Sequence, residues 1–280
     1  MRHIFQNKKT ILIITTILIV SLLGCDKNAT EPGKEAPPSL PPVESMKLDL
    51  SFFENSSNNP LAKTTLSKYN YFNAAGRVWL ISAFVTLAAV VPTAVFSAAI
   101  SQDAELQPDG KFHWIYTVQN NNDTFMADLA GWVDQQSTEV VWEMYISSNT
   151  HSPELDHFLW YEGRSKIANK GGWWLFYDDK SPGTLVDVLK VDWQIPDADH
   201  RELVLSNIRQ ASDDFGDTLR YSIENYDNNF VFYDASELIT NTIYWDSQTG
   251  VGFIEWFDYK EGVCSYWDEN QNDIPAPPGL

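Results

Sequence analysis

From Lys111 onward, apolar and polar residues alternate with a period of two. Phe112, Trp114, Tyr116 and Val118 fall on one side, with His113 and Thr117 on the other. Phe125, Ala127, Leu129 and Val133 repeat the pattern, and so do Val140, Trp142, Met144 and Ile146. That period marks strands with one buried face. Twelve strands are predicted, near 111–119, 124–133, 138–147, 156–164, 171–178, 184–193, 202–210, 217–225, 229–235, 240–246, 251–257 and 262–267. Turn-forming clusters at Asn120–Asp123, Ser181–Gly183 and Asp213–Gly216 punctuate them. Connections this short exclude parallel crossovers, so the expected arrangement is an antiparallel meander.

The pattern upstream is different. Val78 to Ile100 carries no charged residue and is rich in Ala, Val and Ser. About 20 apolar residues suffice to cross a bilayer, yet the flanks oppose a span. Lys63, Lys68 and Arg77 precede it and Asp103, Glu105 and Asp109 follow, which would place its N-terminal end in the cytoplasm. The secretory signal described below places that end outside. The stretch is therefore expected to be a buried core helix. Asn59 as N-cap and Pro60 at the first helical position would start a helix running from Leu61. Gly76 is the expected break between two helices, and Pro92 is expected to kink or end the second. Met46, Leu48, Leu50 and Phe52 alternate with polar residues and predict a further short strand. The fold class is then α+β, mainly β: a meander curved around N-terminal apolar helices at about 60–102.

The first 25 residues have a different purpose. Arg2, Lys8 and Lys9 precede an apolar run from Ile11 to Leu23, and Gly24 then stands before Cys25. Leu22-Leu23-Gly24-Cys25 resembles the lipobox of bacterial lipoproteins. The resemblance covers only this signal and implies removal of residues 1–24, a diacylglycerol thioether on Cys25 and acylation (a palmitate-type chain) of its amino group. Several acyl chains together anchor a protein stably. The implied location is the cell envelope, on a membrane reached through the lipid on Cys25. Residues 25–43, with Pro32, Pro37, Pro38, Pro41 and Pro42, read as a tether reaching on the order of 50 Å. Residues 44–280 read as a single β-rich domain.

Charge narrows the partners. The chain has 19 Lys and Arg against 38 Asp and Glu, and residues 1–24 hold three of the basic residues and none of the acidic ones. The acidic excess thus grows from 19 to 22 once they are removed. Nucleic acid and anionic lipid headgroups demand positive surface, so neither fits as a partner. With Cys25 lipidated, Cys264 has no cysteine to pair with, and Glu261, Asp268 and Glu269 nearby disfavour a reactive thiolate.

The last third contains a loose repeat. Phe232-Tyr233-Asp234, Tyr244-Trp245-Asp246, Trp256-Phe257-Asp258 and Tyr266-Trp267-Asp268 recur every ten to twelve residues, with Phe176-Tyr177-Asp178 as an earlier copy. Aromatics suit a strand end, Asp bonds local backbone in the turn, and Gly250 and Gly262 supply positive φ. Adjacent strand residues point to opposite faces. One ring of each doublet is therefore expected in the core and the other toward solvent or a ligand. Trp114, Trp142, Trp245, Trp256 and Trp267 are the candidate ligand-binding residues.

Two clusters carry metal-ligating residue types. His151, Glu154, Asp156 and His157 match no metal-ligand spacing, and Asp268, Asn270 and Asn272 echo a calcium loop that lacks its Gly and terminal Glu. No metal, cofactor or catalytic residue is assigned, and no nucleophile elbow, zinc helix or phosphate-binding loop is present. The architecture is similar to the half-barrels of lipid-handling lipoproteins and LolA-type carriers. The resemblance implies a non-enzymatic protein holding a lipid or other amphipathic ligand between helices and sheet. Two alternatives remain: a carbohydrate-binding or hydrolysing envelope lipoprotein, and a structural or adhesion subunit.

Overall fold

Alternation of buried and half-exposed positions builds the protein strand by strand. The computed structural model describes residues 35–57, 67–120 and 123–277, and their side chains except at 55–57, 83–91 and 120. The expected helix start at Asn59 and Pro60, and Cys25 with its signal, lie outside the described residues.

Fourteen strands form one open sheet in sequential order, with every neighbouring pair antiparallel. They are β1 (Glu105–Leu106), β2 (Phe112–Asn120), β3 (Asp123–Asp134), β4 (Glu139–Ser148), β5 (Leu155–Lys166), β6 (Gly171–Tyr177) and β7 (Asp187–Gln194). The second half comprises β8 (His200–Asn207), β9 (Thr218–Glu224), β10 (Asp227–Asp234), β11 (Ile239–Asp246), β12 (Gly252–Glu255), β13 (Ser265–Trp267) and β14 (Asp273–Ile274). All twelve expected strands are present, and the two-residue β1 and β14 extend the sheet at its edges. The meander is mainly β, as the alternation predicted.

Among the described residues, two α-helices precede the sheet: α1 (Ser51–Ser57) and α2 (Tyr69–Ala99). The strand expected over Met46–Phe52 does not form. A 3-10 turn spans Val43–Ser45, and the apolar residues after it lead into α1. Short apolar runs fit either period, and here tertiary packing decides: Met46 and Phe53 are buried in the core. The helix α2 also runs unbroken through Gly76 and past Pro92. One internal glycine costs a helix only about 1 kcal/mol, which the packing of α2 outweighs.

Residues 37–280 make one compact unit with one hydrophobic core. Its inner face carries rows in which Gly and Trp alternate across strands. Gly131, Trp142, Gly163 and Trp174 are successive partners on β3 to β6. Trp245, Gly252 and Trp267 are partners on β11 to β13, and Gly172 faces Trp193. A Cβ added at any of these four glycines would lie under 3.0 Å from an indole carbon. Trp142, Trp174, Trp193 and Trp267 each lie across a glycine neighbour, which is why the glycines tolerate mid-strand positions that ordinarily weaken a sheet. Two indole N–H groups find buried hydroxyls: Trp142 donates to Ser165 Oγ (2.9 Å) and Trp174 to Ser45 Oγ (3.0 Å).

The helix α2 touches β2, β3 and β7 as well as β12, β13 and β14. Val95, Phe96 and Ala99 near its C-terminal end are fully buried. There Phe96 meets Trp174 edge-on at 5.7 Å, and the Tyr116 hydroxyl donates to the Val95 carbonyl (2.7 Å). Among the described residues, no helix is long and apolar enough to cross a membrane.

Candidate functional site

The N-terminal end of α2 is fastened by polar contacts. The backbone N–H of Asn70 donates to Asp273 Oδ1 (2.9 Å) and its Nδ2 donates to the Tyr266 carbonyl (2.6 Å). Its Oδ1 accepts from the Tyr259 hydroxyl (2.8 Å) and Lys260 Nζ (2.7 Å). Two turns further, the Arg77 guanidinium pairs with Asp258 (2.5 Å) and lies 5.4 Å from the Trp256 ring and 5.5 Å from the Tyr259 ring. These contacts hold one side of the helix against the last hairpins of the sheet.

The other side faces α1. Asp49 caps that helix, its Oδ1 accepting from the Ser51 N–H (3.3 Å) and hydroxyl (2.8 Å). Leu50, Phe53 and Glu54 then share one face at helical spacing. On α2, Phe72, Ala75, Gly76, Val78, Trp79 and Ser82 share the face opposite. Together with Tyr69 these residues line a cavity of about 820 Å³, within the size range of small-molecule sites. The lining is apolar apart from Glu54, Ser82 and the Tyr69 hydroxyl. Tyr69 and Trp79 are 69% and 65% exposed, so the groove is open to solvent along its rim. Small residues create the space: nothing lies within 4 Å of a Cβ placed on Gly76.

The candidate tryptophans do not line this groove. Trp245 and Trp267 form its backing. Phe52 stacks on Trp245 (5.8 Å, 11°), Phe53 meets Trp245 edge-on (4.8 Å), and Tyr71 meets Trp267 edge-on (5.7 Å). The Tyr71 hydroxyl donates to the Phe52 carbonyl (3.0 Å), tying the helices together behind the cavity. Trp114 and Trp142 lie in the core under β2 and β4, 5.8 Å apart. Trp256 is half-buried between Arg77 and Phe232, whose ring stacks on it at 6.2 Å. Sequence reasoning passed over the groove because it sought aromatic rings on strands. The available signal was Ala75-Gly76 beside Trp79 and Ser82, a small-residue notch in an apolar helix.

The aromatic doublets sort by face as alternation requires. Trp245 and Trp267 are buried while Tyr244 and Tyr266 point outward, and Phe257 is exposed beside half-buried Trp256. Phe176-Tyr177, with both rings buried, and Phe232-Tyr233, with both half-buried, depart from this. Asp234, Asp246 and Asp268 each accept backbone N–H groups in the following turn, and Gly250 takes φ +82°. Those contacts hold the Asp234, Asp246 and Asp268 carboxyls below the ordinary carboxylate range.

On the outer face, Tyr244, Phe253 and Tyr266 are cross-strand partners. Their rings contact one another at 5.5 and 5.8 Å. The Tyr244 hydroxyl donates to Asp227; burial first and this carboxylate second raise its pKa.

Of the acidic and histidine clusters, His151 contacts the Pro153 carbonyl (2.7 Å) and Asp179 (3.2 Å), while His157 stacks on Tyr145 at 4.3 Å. Asp178 pairs with Arg209 (2.8 Å). Among the described residues, no three His, Cys, Asp or Glu side chains are grouped to hold a metal ion. Cys264 is half-buried. Searches of family models, curated proteins and solved structures give no match to this chain, so its function is read from the site itself.

Proposed function

We propose that this chain is a lipid-anchored protein of the bacterial cell envelope that binds, without catalysis, a lipid or other amphipathic ligand beside its apolar helices. In this reading the sheet curves around α2. Support comes from the contacts of α2 with strands near both ends of the sheet. Register shifts between β4 and β5 and between β6 and β7 add to it, because bulges bend strands. The anchor is Cys25, on the strength of the lipobox resemblance. The observation that carries the binding reading is the apolar cavity of about 820 Å³ between α1 and α2. Burying an alkyl chain there gains about 25 cal/mol per Å² of apolar surface removed from water.

Purified residues 37–280 should enhance the fluorescence of the apolar probe 1-N-phenylnaphthylamine, and their solvent extract should contain co-purified amphiphile by mass spectrometry. Gly76→Phe fills the notch and should abolish both without lowering the melting temperature. An empty extract together with probe binding that Gly76→Phe leaves unchanged would overturn the reading. Metabolic labelling with radioactive palmitate, lost in Cys25→Ala, tests the anchor separately.

The outer aromatic row favours a second reading, a carbohydrate-binding envelope protein. Tyr244, Phe253 and Tyr266 present adjoining half-exposed rings of the kind on which sugars stack. A glycan array is the test. Binding removed by Tyr244→Ala with Tyr266→Ala, in a protein that takes up no amphiphile, would put this reading first.

A further inference from the structure

In an antiparallel meander, alternate connections lie at the same end of the sheet. The connections β6–β7, β8–β9, β10–β11 and β12–β13 therefore share one end. Each carries large apolar side chains in solvent: Leu185, Phe215, Leu238, and Phe257 with Val263, all 50–75% exposed. Trp79 and Leu80 are exposed as well, within one turn of Arg77, whose guanidinium pairs with Asp258 in the last of these connections. Among the described residues, the connections at the other end expose two such side chains, Ile167 and Tyr226.

Polar bonds fix these connections to one another and to the next strand. Arg209 pairs with Asp178 (2.8 Å), the Ala235 N–H donates to Asp217 Oδ1 (2.8 Å), and the Phe257 N–H donates to Asn241 Oδ1 on β11 (2.9 Å). Alternate hairpins of a sheet are about 10 Å apart, so the tips make a row about 30 Å long. Side chains spaced this widely do not form the continuous apolar centre of a protein interface. Each enters a fluid apolar phase by itself. Around them, residues 178–186, 208–217, 235–238 and 256–264 hold eight acidic residues and three basic ones. Such a rim repels anionic headgroups and suits zwitterionic ones, whose ammonium groups lie outermost.

We infer that this end of the sheet docks on a lipid surface with zwitterionic headgroups. The apolar tips enter the interface while the acidic residues meet the ammonium groups. The length of the N-terminal segment permits this orientation. Asn169 Nδ2 donates to the Ser39 and Leu40 carbonyls (2.7 and 3.0 Å) at the opposite end of the sheet. Cys25 stands 14 residues before Ser39, a reach of about 50 Å at full extension. That is about twice the length of the seven-residue β6, so a domain anchored through Cys25 reaches the membrane with its apolar end.

The experiment floats the chain from residue 25, carrying Cys25→Ser so that no acyl chain contributes, with phosphatidylcholine vesicles. The protein should rise with them. Phe215→Ser, Leu238→Ser and Phe257→Ser together should lower the partition coefficient by about tenfold or more, since each removes apolar surface from the contact. Ile167→Ser with Tyr226→Ser, at the opposite end, should leave it unchanged, and thermal melts of both variants check the fold. Replacing half of the lipid by phosphatidylglycerol should weaken binding, and salt should restore it. A protein that stays behind, an equal loss in both sets of variants, or tighter binding to the anionic vesicles overturns the inference. Self-association that the triple variant abolishes, without flotation, would make the row a contact between copies of the chain and overturn it as well. Flotation needs no ligand in the groove, so its outcome is separate from that of the fluorophore test.

Discussion

The two ends of α2 are held differently. At the C-terminal end Val95, Phe96 and Ala99 are buried among core aromatics, and the Tyr116 hydroxyl donates to the Val95 carbonyl. At the N-terminal end Tyr71, Ala74 and Val78 are buried as well, and the sheet adds polar contacts through Asn70 and Arg77. The opposite side is left to α1 and the groove, with Tyr69 and Trp79 in contact with solvent. Close packing leaves no room for a ligand. Directional polar bonds can fasten a helix along one edge and leave its apolar face vacant. The cavity lies where the second method is used.

The largest test of this contrast is Phe96→Ala. Removing a fully buried ring that contacts Trp174 should cost about 3–5 kcal/mol, read from the urea midpoint. Asn70→Ala attacks the other end. It strands the Tyr259 hydroxyl, the Lys260 ammonium and the Tyr266 carbonyl, for about 2 kcal/mol. Hydrogen exchange should then speed up in the first turns of α2 and in β13 before it does near Val95. A result with the two ends reversed in magnitude would erase the distinction.

Gly76→Ala should act with the opposite sign. Nothing lies within 4 Å of the added methyl, so the helix gains about 1 kcal/mol from reduced backbone freedom. A lowered melting temperature would mean that the notch is closed.

The smallest effect concerns alkaline pH. Burial first, and the charge of Asp128 second, raise the Tyr116 hydroxyl above the ordinary tyrosine value of about 10. A raised folded pKa means that the unfolded chain gives up its proton first. The stability contributed is therefore complete below about pH 10 and is lost progressively above it. Tyr161 and Tyr221 are raised by burial as well. Tyr116→Phe should accordingly flatten only part of the fall in urea midpoint between about pH 9 and pH 11.

Much of this architecture is legible in the chain. Alternation located twelve strands because each buries one face, and the aromatic–aromatic–Asp repeats marked hairpins through local turn bonds. The residues that make the groove were not legible. Leu50 and Phe52 fit a strand period as well as a helical one, and only the burial of Phe53 against Trp245 turns the segment into α1. Gly76 reads as a helix breaker from its own preference, yet α2 continues through it.

The sequence by itself determined the meander and its order, because a two-residue period and short turns leave few alternatives; it left open whether rings such as Trp142 and Trp267 face the core or a ligand. Tertiary structure alone decided that glycines on neighbouring strands make room for those rings, and that α1 stands apart from α2 around a vacant apolar space. Such features depend on which surfaces meet across long separations in the chain, and no local pattern of residues encodes that meeting.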